Sequence, residues 1–364
     1  MAFLKTVDIK SFRGIRDLSI KKLGAINLIV GDNNCGKTSV LEAIELLRSS
    51  GNLANIYRIA RQRESLSVFG ANSIYDSFIC MFPHDGSMLK IEVNATGSKE
   101  KIYCKVEGEQ ERVLLDAKEL DKSMLRHNSE LSGELETEIF KGQITTGYGK
   151  EEKTEIIEVN RFSRVSGTPS SSKDKFNIVY VAPFEHLRGS VLTQIVRNSE
   201  YKNICMKALQ LFDPDIEDMM ILRSDTGNRP VEYLRHKKLS NMPIATYGDG
   251  IKKVLVLSNA IAQAAGGILL IDEIETAIHK KYYDDIFRFV IKACKAFDVQ
   301  VFITTHSLEA IDGILATQDY EIQEETDDIK VVTLKKDNEA TLSRVLPGRE
   351  VFENREAFGF EVRL

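Results

Sequence analysis

The sequence predicts an α/β fold: a mostly parallel core sheet, an antiparallel β subdomain and a helical insertion. Three observations carry this. The runs "AINLIVG", "NIVYVAP", "ILLID" and "VQVFITT" are continuously apolar and mostly β-branched, as expected of parallel strands buried on both faces. The helical stretch "KKYYDDIFRFVIKACKAF" separates the last two, giving a β-α-β order with a right-handed crossover. Between residues 78 and 163 the pattern becomes an alternation of apolar and polar residues, the mark of an antiparallel sheet with one solvated face.

Taken in order, "FLKTVDIKSF" alternates as a strand and "AINLIVG" stops at Gly31. "KTSVLEAIELLRSS" places Val40, Leu41, Ile44 and Leu47 at helical spacing and breaks at Ser49, Ser50 and Gly51. "SFICMF", "MLKIEVNA", "EKIYCKVEG" and "KTEIIEVNRF" read as strands of the antiparallel sheet, and 109–140 between them is polar and leans to helix. "RVSGTPSSSKDK" is the clearest linker. Beyond it, "VLTQIVRNSEYKNICMKALQLF" is helical, and "GIKKVLVLSNAIAQAAGG" is a strongly apolar helix closed by two glycines. No internal repeat is present.

The 364 residues suffice for one large domain or two. No apolar run reaches the ~18 residues of a membrane span, and the N-terminus carries no apolar stretch behind a basic start, so neither membrane insertion nor secretion is expected. Cys35, Cys80, Cys104, Cys205 and Cys294 are scattered and never in a CxxC pair. That excludes a disulfide framework and a cysteine zinc site, and points to a reducing cytoplasm. The net charge of −5 disfavours a protein that coats DNA, though it leaves room for a local basic groove. Segment 108–156 holds 12 acidic and 7 basic residues, a deficit equal to that of the whole chain. Its default reading is a solvated surface insertion.

The chemistry concentrates at three strand ends. "GDNNCGKT" fits GxxxxGK[ST] after a strand and at the opening of a helix. Gly31, Asp32, Asn33, Asn34, Cys35, Gly36, Lys37, Thr38 and Ser39 would wrap backbone N–H groups around phosphate oxygens. The helix N-terminus adds positive potential, Lys37 reaches the β- and γ-phosphates, and the Thr38 hydroxyl ligates Mg²⁺. "ILLIDE" is weaker alone, since a strand ending at a helix cap looks the same. Paired with the phosphate loop it makes Asp272 the second metal residue and Glu273 the group that orients or deprotonates the attacking water of ATP hydrolysis. "FITTHS" brings His306 to a third strand end, where an imidazole would contact the γ-phosphate; ligands of a doubly wound sheet gather at the carboxyl ends of its strands.

The order of phosphate loop, acidic strand end and histidine strand end resembles the ABC-type ATPase fold, and more narrowly the RecF/SMC/Rad50 branch and the OLD-like ATPases. "IKSFRGIRDLSI" resembles that branch's opening strand, which implies Arg13 close to the nucleotide. "DEIETAIH" is similar to its acidic strand and D-loop. ABC transporter subunits usually continue Ser-Ala-Leu-Asp, so Thr276, Ala277, Ile278 and His279 match the other branch better. The family's signature sequence corresponds to "ATYGDGIKKVLVL", which departs from LSGGQ: Tyr247 stands near the serine, and Asp249 lies between Gly248 and Gly250. The "GDG" form is usual in OLD-like ATPases. The resemblance implies that Tyr247, Gly248 and Gly250 meet the γ-phosphate bound to another subunit, so that ATP joins chains head to tail into a dimer or larger oligomer. A glycine turn capping a core helix is the alternative.

The resulting division is 1–107, first ATPase lobe with Walker A and antiparallel strands; 108–156, acidic, partly helical insertion; and 157–176, last strand of that lobe and linker. Next come 177–340, second lobe with signature, Walker B, D-loop and histidine loop, and 341–364, a C-terminal segment for partner docking or for folding back on its own core. OLD nucleases add a Toprim domain of about a hundred residues, whereas 57 residues follow Ser307 here, and "TDD" within them reads as a solvated loop or edge hairpin. The expectation is an ATPase using ATP and Mg²⁺, with no nuclease activity of its own, that controls a separate effector such as a Toprim-type nuclease. In organisation it resembles the ATPase subunit of PARIS-type anti-phage systems. The alternatives are a RecF-like DNA-binding ATPase of repair and, behind it, a transporter's nucleotide-binding subunit.

Overall fold

The computed structural model describes residues 3–48, 53–64, 73–83, 89–97, 100–116, 134–163, 177–187, 192–223, 230–320, 327–337 and 340–363. A core sheet runs β15-β14-β3-β13-β12-β8, formed by Ile26–Gly31 (β3), Ile178–Val181 (β8), Ile268–Ile271 (β12), Gln300–Thr304 (β13), Ile329–Asp337 (β14) and Ala340–Pro347 (β15). All neighbouring pairs are parallel except β14–β15. The four continuous apolar runs of the sequence are therefore its adjacent parallel strands β3, β13, β12 and β8, with β8 at the sheet edge.

Period-2 geometry sends successive side chains of a strand to opposite faces, and two cores result. Ile268 and Leu270 of β12 face one, with Phe302 of β13. Leu269 and Ile271 face the other, with Val301 and Ile303. The first core is closed by α1 (Lys37–Glu45) and by the antiparallel sheet. The second lies under α5 (Ser199–Gln210), α6 (Asp249–Gln263), α7 (Tyr283–Ala296) and α8 (Leu308–Leu315). The antiparallel sheet runs β2-β1-β4-β5-β6-β7, from Leu4–Phe12 (β1), Ile15–Lys21 (β2), Leu89–Gly97 (β4), Lys101–Asp116 (β5), Glu134–Tyr148 (β6) and Glu151–Asn160 (β7). A three-stranded sheet of Ile216–Arg223 (β9), Pro230–His236 (β10) and Ser240–Pro243 (β11) leads into α6.

Three expectations are corrected. The helical lean of 109–140 fails where the chain is described: 109–116 and 134–140 belong to the long β5–β6 hairpin, paired from Ile102↔Tyr148 to Asp116↔Glu134, while 117–133 lie outside the described residues. Helix-forming Glu and Leu are its commonest residues, but buried Phe140 and Ile144 pack it into the first core, and packing overrides propensity. Part of the segment's acidity falls on β7, a sheet edge where Glu151 and Glu152 are exposed. Charge there discourages pairing with another strand.

"SFICMF" is not a strand. Ser73 caps α3 (Ile74–Ile79) by accepting the Asp76 N–H at 3.1 Å, and Phe78 and Phe82 stack edge-on and tilted around Phe140. The long helix beyond the linker is broken in two, Leu192–Ile195 (α4) and α5, because Asn198 caps the second by accepting the N–H groups of Glu200 and Tyr201. The C-terminal segment folds back on its own core. α9 (Gly348–Phe358) buries Val351, and Val362 is buried with its carbonyl accepting the Thr333 hydroxyl at 2.8 Å. The linker residues 164–175 lie outside the described residues, and so does Thr326 of "TDD"; Asp327 and Asp328 close the turn into β14.

Candidate nucleotide-binding site

β3 ends at Gly31 with φ +143°, and a Cβ there would lie 2.3 Å from the Leu334 carbonyl oxygen. Only glycine fits. Asn34 (φ 64°) and Gly36 (φ 100°) then take left-handed conformations, which turn successive N–H groups to one side as an anion-binding concavity. α1 starts at Lys37 behind Gly36 with no side-chain cap, so its first-turn N–H groups are available to a ligand. Asp32, Asn33 and Asn34 are exposed, whereas Cys35 is buried and burial pushes its thiol up. Cys35 therefore contributes backbone, not thiolate. Lys37 Nζ donates to the carbonyls of Gly31 and Asp32, both at 2.9 Å, and so lies across its own loop.

Asp272, 3% exposed, follows β12 and collects hydroxyls. Thr38 donates to it at 3.0 and 3.2 Å, Thr304 at 2.6 Å and Tyr180 at 3.1 Å. Burial, with the Asp272 charge behind it, drives the Tyr180 phenol well up, so it remains a donor. A buried carboxylate joined to a threonine hydroxyl at a helix start is a hard-oxygen donor pair, and it fits Mg²⁺. When bound, the ion would neutralise charge on the phosphates. Glu273 sits beside it at φ 46°, its N–H bound to Thr304 Oγ1 at 2.8 Å, and its carboxylate accepts the Thr276 hydroxyl at 3.4 Å. A non-glycine residue at positive φ is uncommon, and such positions cluster at functional sites.

His306 leaves β13 exposed, and Glu275 holds it. One carboxylate oxygen, Oε1, lies 3.1 Å from both the His306 N–H and Nδ1. Arg363 donates to the His306 carbonyl at 3.0 Å, tying the C-terminal segment to this strand end. Arg13 is engaged with Glu42, which is fully buried and also takes Arg63. The Arg13 turn is nonetheless adjacent to the phosphate loop, since a Cβ on Gly36 would touch Ile15 at 3.4 Å. Arg63 reaches on to Ser39 Oγ at 3.0 Å.

At the other motif, Gly248 caps α6, with Gly248 and Asp249 exposed and Gly250 half-buried. The Tyr247 hydroxyl does not join them: it is turned inward, buried without a hydrogen-bond partner among the described residues, and its ring packs on the second core. The structure thus gathers Lys37, Thr38, Asp272, Glu273 and Thr304 in one place. Sequence reasoning missed Tyr180, Thr304, Glu275, Glu42 and Arg63. The signal for Tyr180 and Thr304 was present, as each is a polar residue inside an otherwise apolar buried run. The arginines and their shared glutamate lie on separate elements, and no spacing connects them.

The description "AAA ATPase domain" matches residues 3–179 and 115–311. The chain belongs to this family. Among known proteins the ATPase is similar to "ATP/GTP phosphatase" of Helicobacter pylori, 23% identical over 97% of this chain and 99% of that one. It is also similar to the DNA replication and repair protein RecF of Pseudoalteromonas translucida, 34% identical over 20% of this chain and 21% of RecF. Among solved structures, an SMC head bound to the C-terminal winged-helix domain of ScpA shares its fold, with TM-score 0.52, 12% identity, and 96% and 99% of the two chains covered. The parallel core sheet with its antiparallel subdomain is thus the ABC-type P-loop fold expected from the sequence.

The ATPase carries a second acid–imidazole group, Asp213, Asp215 and His236. His236 Nδ1 accepts the N–H groups of Lys238 and Leu239, both at 3.1 Å, so its proton sits on Nε2 and is donated to Asp213 at 3.1 Å. With both nitrogens engaged in hydrogen bonds, the group closes the turn between β10 and β11. No helix among the described residues is long and apolar enough to cross a membrane.

Proposed function

We propose that this ATPase binds ATP·Mg²⁺ at Gly31–Ser39 and Asp272, uses Glu273 and His306 for hydrolysis, and pairs head to tail through the start of α6. The carrying observation is that α6 begins with Gly248 and Asp249 exposed and uncapped by any side chain, 15 residues of helix behind them. A helix start of this kind suits an anion supplied by a second copy. Arg13 would reach the nucleotide after releasing Glu42. The output is exerted on a separate effector, a Toprim-type nuclease in anti-phage defence. The D-loop residues Thr276–His279 speak against a transporter subunit, and the described residues after Ser307 add β14, β15 and α9 to the ATPase fold itself. A cytoplasmic setting follows from this reading. Co-purification with a Toprim-like protein and ATP-dependent nuclease activity of the pair test this; nuclease activity from this chain alone contradicts it.

The second reading is a DNA-repair ATPase, favoured by the RecF similarity. It requires DNA affinity that falls steeply with salt. Duplex binding measured between 50 and 200 mM salt (about three decades of loss for six phosphate contacts) separates the two.

A further inference from the structure

Ser39 and Glu42 stand three residues apart on α1 and so share one face of that helix. One guanidinium covers both. Arg63 donates from Nε and Nη2 to the two oxygens of Glu42, at 2.8 and 2.7 Å, and Nη2 also donates to Ser39 Oγ at 3.0 Å. Glu42 is fully buried, whereas Arg63 is exposed. Arg63 comes from the turn just past α2 (Leu53–Arg61), whose Ile56, Tyr57, Ile59 and Ala60 are buried in the first core. Its backbone is therefore anchored independently of the phosphate loop.

The donor and acceptor rules leave one arrangement. A guanidinium donates and accepts nothing, so Ser39 Oγ is the acceptor in this contact and its own proton is left for another partner. Ser39 directly follows Thr38 in the first turn of α1, the helix start whose N–H groups are open to an anion. A phosphate oxygen there can take the hydroxyl proton. Arg63 is itself held in one orientation, because two N–H···O bonds to a buried carboxylate fix the plane of the guanidinium. Arg13 shares that carboxylate at 2.8 Å, but Arg63 alone reaches both oxygens, so Glu42 stays compensated when Arg13 leaves it.

We propose that Arg63 is a positioning residue for nucleotide binding: braced on Glu42, it holds Ser39 Oγ as an acceptor and so directs the hydroxyl proton to a phosphate oxygen of ATP. The inference rests on the nucleotide-binding reading above. It adds a residue from outside the phosphate loop that sets the direction of one of the loop's hydroxyls.

The test is calorimetric affinity for a nonhydrolysable ATP analogue with Mg²⁺, measured on wild type, Ser39→Ala, Arg63→Met and the double variant. Ser39→Ala weakens binding about fivefold, the worth of one hydrogen bond, and Arg63→Met weakens it at least as much. The double variant binds like Arg63→Met alone, because the hydroxyl contributes only when the arginine directs it. An arginine with a merely structural role would leave the cost of Ser39→Ala unchanged. Arg63→Lys keeps a cation beside Glu42 but lacks the planar fork. It too loses about fivefold, and it takes the place of Arg63→Met in the cycle if that variant does not fold. Multiplicative losses in the double variant, or wild-type affinity in a folded Arg63 variant, overturn the proposal. Absence of binding by wild type instead refutes the nucleotide-binding reading, so the two failures are distinguishable.

Discussion

The two halves of the ATP end of this molecule are built to opposite rules. Around the phosphate loop the charged side chains are answered inside the chain: Lys37 by two carbonyls, Asp272 by three hydroxyls, Glu42 by two arginines. Around α6 the groups are open. Its helix start is exposed, and Tyr247 has a buried hydroxyl and Glu275 a buried carboxylate oxygen without a hydrogen-bond partner among the described residues. Buried polar groups are normally satisfied. On the proposed reading, the first half binds its ligand by exchanging internal contacts, and the second is a surface that a second copy would complete.

Substitutions that separate the halves sharpen the contrast. The largest effect is expected from Lys37→Ala. Loss of charge-assisted contacts worth about 3 kcal/mol weakens ATP binding at least about a hundredfold in calorimetry; unchanged affinity would remove the phosphate loop from the account. Next, Gly250→Glu abolishes ATP-dependent self-association in sedimentation while leaving ATP affinity intact. A Cβ at Gly250 meets nothing closer than 3.5 Å, so the fold tolerates it, and the carboxylate repels the incoming anion. Gly31→Ala, forced to φ +143° and against the Leu334 carbonyl, lowers stability by about 2–3 kcal/mol in urea unfolding. A loss below about 0.5 kcal/mol would mean that the loop is not held as described. The smallest effect is expected from Tyr180→Phe, which removes one of three hydroxyls on Asp272 and costs about 1 kcal/mol. It lowers hydrolysis several-fold and spares association. If association changes instead, the halves are not separable.

The same division governs what could be read from the sequence. The phosphate loop, Asp272 and His306 were legible because each ends a buried β-branched run, and local pattern sets both strand and loop. Thr304 and Tyr180 stand out only as polar residues in apolar runs; that they meet on Asp272 follows from the register Leu270↔Phe302 and Leu270↔Tyr180, which brings three strands' ends together. The β5–β6 hairpin was obscured by its Glu content, which favours helix locally; burial of Ile139, Phe140 and Ile144 decides otherwise, and burial is a tertiary fact. The orientation of Tyr247 was equally out of reach. Motif alignment placed it near the serine of the signature, and the second core draws its ring inward.

The central claim is that one protomer's phosphate loop is completed by another's α6, with Glu273 driving release. Sedimentation of Glu273→Gln with ATP tests it most directly. The variant binds ATP like the wild type, turns it over at least about a hundredfold more slowly, and accumulates as a dimer or larger assembly that Gly250→Glu dissolves. Normal turnover by Glu273→Gln, or a monomer profile that ATP leaves unchanged, would contradict the account.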